Sequence, residues 1–200
     1  YLIGKAKHYF GLYPEALEIW NWINSKKASL DNILMKLDCT IEHSETLWKM
    51  GRSKDAYIFI NQSEEILHQF QKKSDIPEQE IILRKARIAH AKLGLYWNQG
   101  EIDKAIQFCK DTLGYYKKLG DSEEVANALV NLGLLIADKG NLSLGLEKLF
   151  EAEYKLEELD NLDGLGYCYL NIGWIYRLQG EFKLGLKYLQ KALKIGQQIN

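Results

Sequence analysis

The sequence predicts an all-α fold, an array of about five antiparallel helix pairs. Three observations carry that expectation. A glycine returns at Gly11, Gly51, Gly100, Gly140 and Gly180, at intervals of 40, 49, 40 and 40 residues. A fixed period of that size marks a repeat array rather than one compact domain. Five residues after each glycine stands a small residue: Ala16, Ala56, Ala105, Gly145 or Gly185. Only two prolines, Pro14 and Pro77, occur in 200 residues, as long helices require, because proline costs about 3 kcal/mol inside a helix.

The units span about 1–28, 36–74, 86–120, 126–160 and 166–200. In each, the recurrent glycine ends the first helix by taking the left-handed conformation that follows a helix end. The second helix begins about two residues later. In the first unit, GLYPEALEIW places Pro14 in a first turn, where it is tolerated. In the second, TLWKMGRSKDAY keeps the turn and the small residue, with Ser53 in the first turn. Between the second and third units, the 49-residue interval puts extra residues near 72–80, KKSDIPEQE, which predicts a longer connection or an extended following helix and a hinge between the first two units and the last three. In the third and fourth units, Asp103 and Asn141 sit at first-turn or capping positions. Aligned without gaps, residues 126–160 and 166–200 are identical at 8 of 35 positions; all but Asn131/Asn171 are small or aliphatic, which assigns them to packing. Gly145 and Gly185 each cost about 1 kcal/mol against alanine inside a helix, so their recurrence predicts close helix contact.

Bulk properties narrow the function classes. The net charge is −1, which argues against a general nucleic-acid binder, since that needs clustered lysine and arginine. No apolar run of membrane-spanning length and no signal peptide is visible. Cys39, Cys109 and Cys168 are odd in number and widely spaced, and read as reduced core residues of a cytoplasmic protein. The chain starts at Tyr1 without Met and ends at Asn200 within a helical pattern, and reads as a fragment of a longer array.

Three stretches carry a family resemblance: LGLYWNQGEIDKAIQF (93–108), NLGLLIADKGNLSLGLEKL (131–149) and NIGWIYRLQGEFKLGLKYL (171–189). They resemble the tetratricopeptide repeat, whose usual unit is about 34 residues. The 40-residue period lacks the closing proline and is similar to the long variant of kinesin light chains and of peptide-sensing bacterial regulators. The resemblance covers essentially the whole chain. It implies a right-handed α-solenoid, with first helices lining a concave face that binds a protein or peptide, without enzymatic activity and without a cofactor.

Under that implication the groove residues are the outward positions of the first helices: Asp38, Glu42, Glu45 and Trp48 in the second unit, and Arg87, His90, Trp97 and Asn98 in the third. They continue as Asn127, Asn131, Leu134 and Asp138 in the fourth unit and Tyr167, Asn171, Trp174 and Arg177 in the fifth. Asn131 and Asn171 share one register, and an amide offers both donor and acceptor to an extended peptide; a helix–helix hydrogen bond is the structural alternative. Tyr167, Trp174, Arg177 and Trp97 are of the residue types that dominate binding hot spots, or pack between units. Asp38, Glu42 and Glu45 read first as a solvated face and second as an attraction for a basic partner. The two-lysine carboxylate clamp of some relatives is missing: its places hold Ile41, His90, Val130 and Leu170. Lys72-Lys73 and Lys117-Lys118 suit helix C-termini. Neither metal-ligand spacing nor a catalytic constellation appears. Two functions follow: a non-enzymatic interaction module binding a peptide or helix in the groove, or the sensor domain of a larger bacterial or archaeal regulator that controls an attached effector. Self-association through the array ends is a third possibility.

Overall fold

A computed structural model describes residues 1–25, 33–72 and 76–199. Residues 26–28 of the first unit, the stretch 73–75 within the long connection, Lys73 and Asn200 lie outside the described residues. Ten helices are described: α1 (Leu2–Tyr9), α2 (Tyr13–Ser25), α3 (Ile33–Lys49), α4 (Ser53–Gln71), α5 (Glu78–Asn98), α6 (Ile102–Leu119), α7 (Ser122–Asp138), α8 (Leu142–Glu158), α9 (Leu162–Leu178) and α10 (Phe182–Ile199). Each recurrent glycine separates an odd-numbered helix from the next even-numbered one. Gly140 has φ 103°, and the other four share its sign; a side chain there would clash with the following carbonyl. The chain forms two compact units, Tyr1–Phe108 and Cys109–Asn200.

In the first unit α3 is the hub, packing on α2, α4 and α5. The core joins Trp20, Leu37, Ile41, Leu47, Ile60, Ile88 and Leu95. Two glycines admit large rings: a Cβ at Gly4 would fall 2.6 Å from the Trp20 ring, and one at Gly94 would fall 2.5 Å from that of Trp48. Trp48 is therefore a packing residue between α3 and α5, with its indole N–H buried and unpartnered, rather than the outward groove residue that the family pattern implies.

In the second unit α7 packs on α8, α8 on α9 and α9 on α10. The small residues five positions past the turn explain how closely each pair comes together. A Cβ at Gly145 would meet the Gly133 carbonyl at 2.7 Å, and a Cβ at Gly133 would meet the Gly145 carbonyl at 2.8 Å. Gly173 and Gly185 stand in the same reciprocal relation at 3.1 Å each way. Two missing methyls per pair thus bring backbone to backbone, and Leu149 and Leu189 close over the gap. Leu134 is buried here and is a core residue, not a groove residue. Asn141 caps α8 by accepting from the Leu144 N–H, as its position predicts. Asp121 and Asn161 cap α7 and α9 in the same way, and Asn161 also donates to Glu123, 38 residues earlier.

Helix propensity and packing predict opposite signs for two Gly→Ala changes. Gly114 of α6 has open space where a Cβ would go, so Gly114→Ala gains about 0.5–1 kcal/mol in urea denaturation. Gly145→Ala drives a methyl against the Gly133 carbonyl and loses about 1–3 kcal/mol. Two changes of the same sign would contradict this packing.

Candidate functional site

The first-helix faces of the two units differ in what their polar groups already do. In the first unit, acids on α3 meet bases on α5. Asp38 accepts from both Arg84, at 3.0 Å, and Arg87. Glu42 accepts from Arg87 at 2.7 Å, with Lys5 of α1 at 3.9 Å. Glu45 lies 3.3 Å from the Nδ1 atom of His90, and Glu80 adds a second acid to Arg84. The acidic face expected to be solvated is instead a lattice joining α1, α3 and α5, with Glu42 buried. Helical spacing put the three acids on one side; the matching bases 45 to 49 residues away were not legible from α3 alone. Burial, with the nearby Glu45 charge, raises the Glu42 carboxyl. Burial also pulls against the Arg87 charge, but Asp38, Tyr1 and Glu42 together hold its pKa above the ordinary value. Arg87 and His90 are thus engaged within the chain.

A second buried network secures α1. Thr46 has one hydroxyl proton and donates it to the Glu42 carbonyl at 2.8 Å. Its oxygen therefore accepts from the Trp20 indole at 3.1 Å and from the His8 Nδ1 at 2.7 Å. That assigns the His8 proton to Nδ1 and leaves Nε2 to accept from Lys49 at 2.9 Å. Burial lowers the His8 pKa, as does the Lys49 charge; Glu45 opposes and Lys5 assists. His43, stacked on Phe59 at 3.8 Å with Asn24 against its Nδ1, is pushed down to about 4 by burial and then by Arg52. These are core histidines.

In the second unit the first helices present a different surface. On α7, Asn127 and Asn131 are half-buried and Asp138 is exposed. On α9, Tyr167 and Arg177 are exposed, and Asn171 and Trp174 are half-buried. Asn171 donates one amide proton to the Tyr167 carbonyl of its own helix at 2.8 Å; this is neither a helix–helix bond nor a full commitment, since its oxygen and second proton stay available. Among the described residues Asn131 makes no side-chain hydrogen bond. Trp97 and Asn98 end α5 in the first unit, where the Asn98 oxygen faces the Ser53 hydroxyl at 3.5 Å. Burial pushes the thiols up, Cys39 to about 11 and Cys109 and Cys168 to about 12. Among the described residues no cluster of three or more His, Cys, Asp or Glu is placed to hold a metal ion, and no helix is long and apolar enough to cross a membrane.

Residues 165–200 match the model of the tetratricopeptide repeat. The fold is that of a tetratricopeptide-repeat array. A signal-transduction ATPase with numerous domains from Pyrococcus horikoshii, a protein with a tetratricopeptide-repeat sensor, is similar over 96% of this chain and 28% of its own, with a TM-score of 0.78 at 14% identity. A Rap protein complexed with competence and sporulation factor is similar over 98% of this chain and 52% of its own, with a TM-score of 0.80 at 14% identity. Aspartyl phosphate phosphatase F from Bacillus subtilis is similar over 98% and 49%, with a TM-score of 0.75 at 16% identity. At these identities the likeness is one of fold, and this chain spans between about a quarter and a half of each of those proteins. A comparison with curated proteins found no match by sequence.

Two outcomes test the polar networks. Arg87→Met leaves Glu42 with only the more distant Lys5 and takes from Asp38 one of its two partners, Arg84 remaining, and costs about 2–4 kcal/mol, somewhat below the range for fully buried pairs; a cycle with Glu42→Gln recovers part of the loss. Acidification destabilises through the histidines: with His8 and His43 held neutral in the fold, stability present above pH about 6.5 is lost as pH falls from there toward about 4. Urea midpoints measured from pH 7 to 5 fall, and the slope flattens in the variant carrying His8→Gln and His43→Gln.

Proposed function

We propose that this chain is a non-enzymatic interaction module that binds an extended peptide or a helix of another protein along α7 and α9. The observation that carries the reading is the contrast between the first-helix faces. On α3 and α5 the acids and bases satisfy one another. On α7 and α9 two asparagines 40 residues apart keep hydrogen-bonding capacity, beside Tyr167, Trp174 and Arg177. A ligand gains little by displacing a satisfied ion pair, because both charges must then be rehydrated or re-paired. It gains more by pairing amides that still have capacity and by covering aromatic surface. Asn127 and Asp138 flank the site on α7. Arg87, His90 and Trp97 of the first unit fall outside the narrowed site. The absence of a cofactor requirement and a cytoplasmic location, in keeping with three unpaired thiols, belong to the same proposal.

A second reading is that the module senses a peptide on behalf of an attached effector. It draws on the likeness of fold to the Pyrococcus protein, which has a tetratricopeptide-repeat sensor, and to the Rap protein complexed with competence and sporulation factor. The surface involved would be the same, so the two readings differ in what the remainder of the protein does.

Selection of a random peptide library displayed on phage against the chain tests the site. Peptides enriched on the native chain should bind the variant carrying Asn131→Ala and Asn171→Ala at least about tenfold more weakly, the loss of one or two hydrogen bonds. The thermal midpoint should stay within a few degrees, since neither amide bridges two helices. Undiminished binding by the double variant would move the site elsewhere, and a large drop in stability would make the asparagines structural.

A further inference from the structure

The second-helix face of the second unit carries an apolar seam between α8 and α10. Phe150 and Tyr154, one turn apart on α8, are 37% and 61% exposed, although α8 already packs on both α7 and α9. Beside them on α10 stand Leu184 and Tyr188, also one turn apart. The Phe150 and Tyr188 rings lie 6.2 Å apart, and Tyr188 stacks on Tyr176 at 5.7 Å. Leu184 is 40% exposed, and Leu144, its counterpart 40 residues earlier on α8, is 37% exposed. Exposure at this position therefore belongs to the second-helix face of each repeat and does not depend on which helix follows.

The charges on the two flanks of the seam are opposite in sign. Residues 126–160 and 166–200 are related by a shift of 40, which carries Glu147, Glu151 and Tyr154 of α8 onto Lys187, Lys191 and Lys194 of α10. Glu147 and Glu151 share one cation, Lys148, at 3.0 and 3.3 Å, so the α8 flank keeps an excess of negative charge. Lys191 is committed to Glu153 at 3.2 Å. Lys187 and Lys194 are exposed and form no ion pair among the described residues. At 3.6 residues per turn, Glu147 and Tyr154 lie on the outward side of α8, as Lys187 and Lys194 do on α10. Such a face is complementary to itself. A two-fold axis running along the seam sets each residue of α8 against its own counterpart on the partner's α10. Glu147 then meets the partner's Lys187, and Tyr154 meets the partner's Lys194, a lysine over an aromatic ring, each contact occurring twice. We propose that two copies of this chain associate through the α8–α10 face with their helices parallel, so that Phe150, Leu184 and Tyr188 of both copies close into the centre of a four-helix arrangement. An axis across the seam would instead set acids against acids and lysines against lysines, and like charges across an interface disfavour it. An unrelated partner would need both signs in the same order about an apolar centre; a second copy has them. The contact uses none of the residues of the peptide site on α7 and α9. An interface of two short helix pairs is small, so association belongs in the micromolar range.

Sedimentation equilibrium of the whole chain, through the micromolar range, tests this. The native chain should pass from the mass of one copy to that of two, and added salt should weaken the association. Glu147→Lys and Lys187→Glu, each made alone, should weaken it at least about tenfold, because each change meets a like charge twice across the axis. Mixed in equal amounts, the two variants should associate as the native chain does, since each then offers the charge that the other lacks. Phe150→Gln, which copies Gln190 of the following repeat, should abolish the dimer and leave the melting curve in place. A single copy at every concentration, a dimer indifferent to both charge reversals or to Phe150→Gln, or a mixture that stays apart overturns the proposal. So does a dimer that Leu193→Asp dissolves and Phe150→Gln spares, which would put the contact on the opposite edge of α10.

Discussion

How near two antiparallel helices come is the constraint on which the rest of the second unit depends. Between α7 and α8, and again between α9 and α10, a glycine on each helix faces the backbone carbonyl of the other. Helix propensity opposes glycine at all four places by about 1 kcal/mol each. Between α7 and α8 close approach outweighs it because Leu149, which fills the space beside Gly133, is wholly buried, and a buried leucine contributes about 2–3 kcal/mol from its area alone. The turn glycine and the small residue five positions later are two parts of one device, since the turn sets the axis that the small residue then lets close.

The first unit reaches the same topology by other means. Its large rings, Trp20 and Trp48, occupy the clearances left by Gly4 and Gly94, and its first helices are tied by charge. Asp38, Glu42, Arg84 and Arg87 lie where solvent reaches little of them. Such a lattice costs desolvation and repays it only when each charge is paired. It therefore specifies the register of α3 against α5 more than it adds net stability, and it leaves that surface little to offer a ligand.

Much of this was legible in the sequence, and the reasons are local. A left-handed turn needs glycine, so the period declares itself through Gly11, Gly51, Gly100, Gly140 and Gly180. Asn131 and Asn171 announce their shared register because the last two repeats align without a gap. The charge lattice stayed hidden for a matching reason: its partners lie across the one irregular interval, where Asp38 and Arg87 are 49 residues apart, so no 40-residue shift brings them together. The pairings of Trp48 with Gly94 and of Trp20 with Gly4 depend on which way a ring turns across a helix pair, and pattern does not carry that. The turns that join one pair to the next were missed as well. Asp160 enters the left-handed region without being glycine, as aspartate tolerates, and the Asp121 and Asn161 caps follow turns that the period does not mark.

The central claim is that the first-helix surface on α7 and α9 is available to a ligand while that on α3 and α5 is already satisfied. Nitrogen-15 NMR reads both at once through side-chain resonances. On titration with a library-selected peptide, the account predicts that the NH2 groups of Asn131 and Asn171 and the indole of Trp174 shift first and saturate together, with the Arg84 and Arg87 guanidinium signals unmoved. Early shifts of Arg84 and Arg87, with the asparagine signals unchanged, would contradict it.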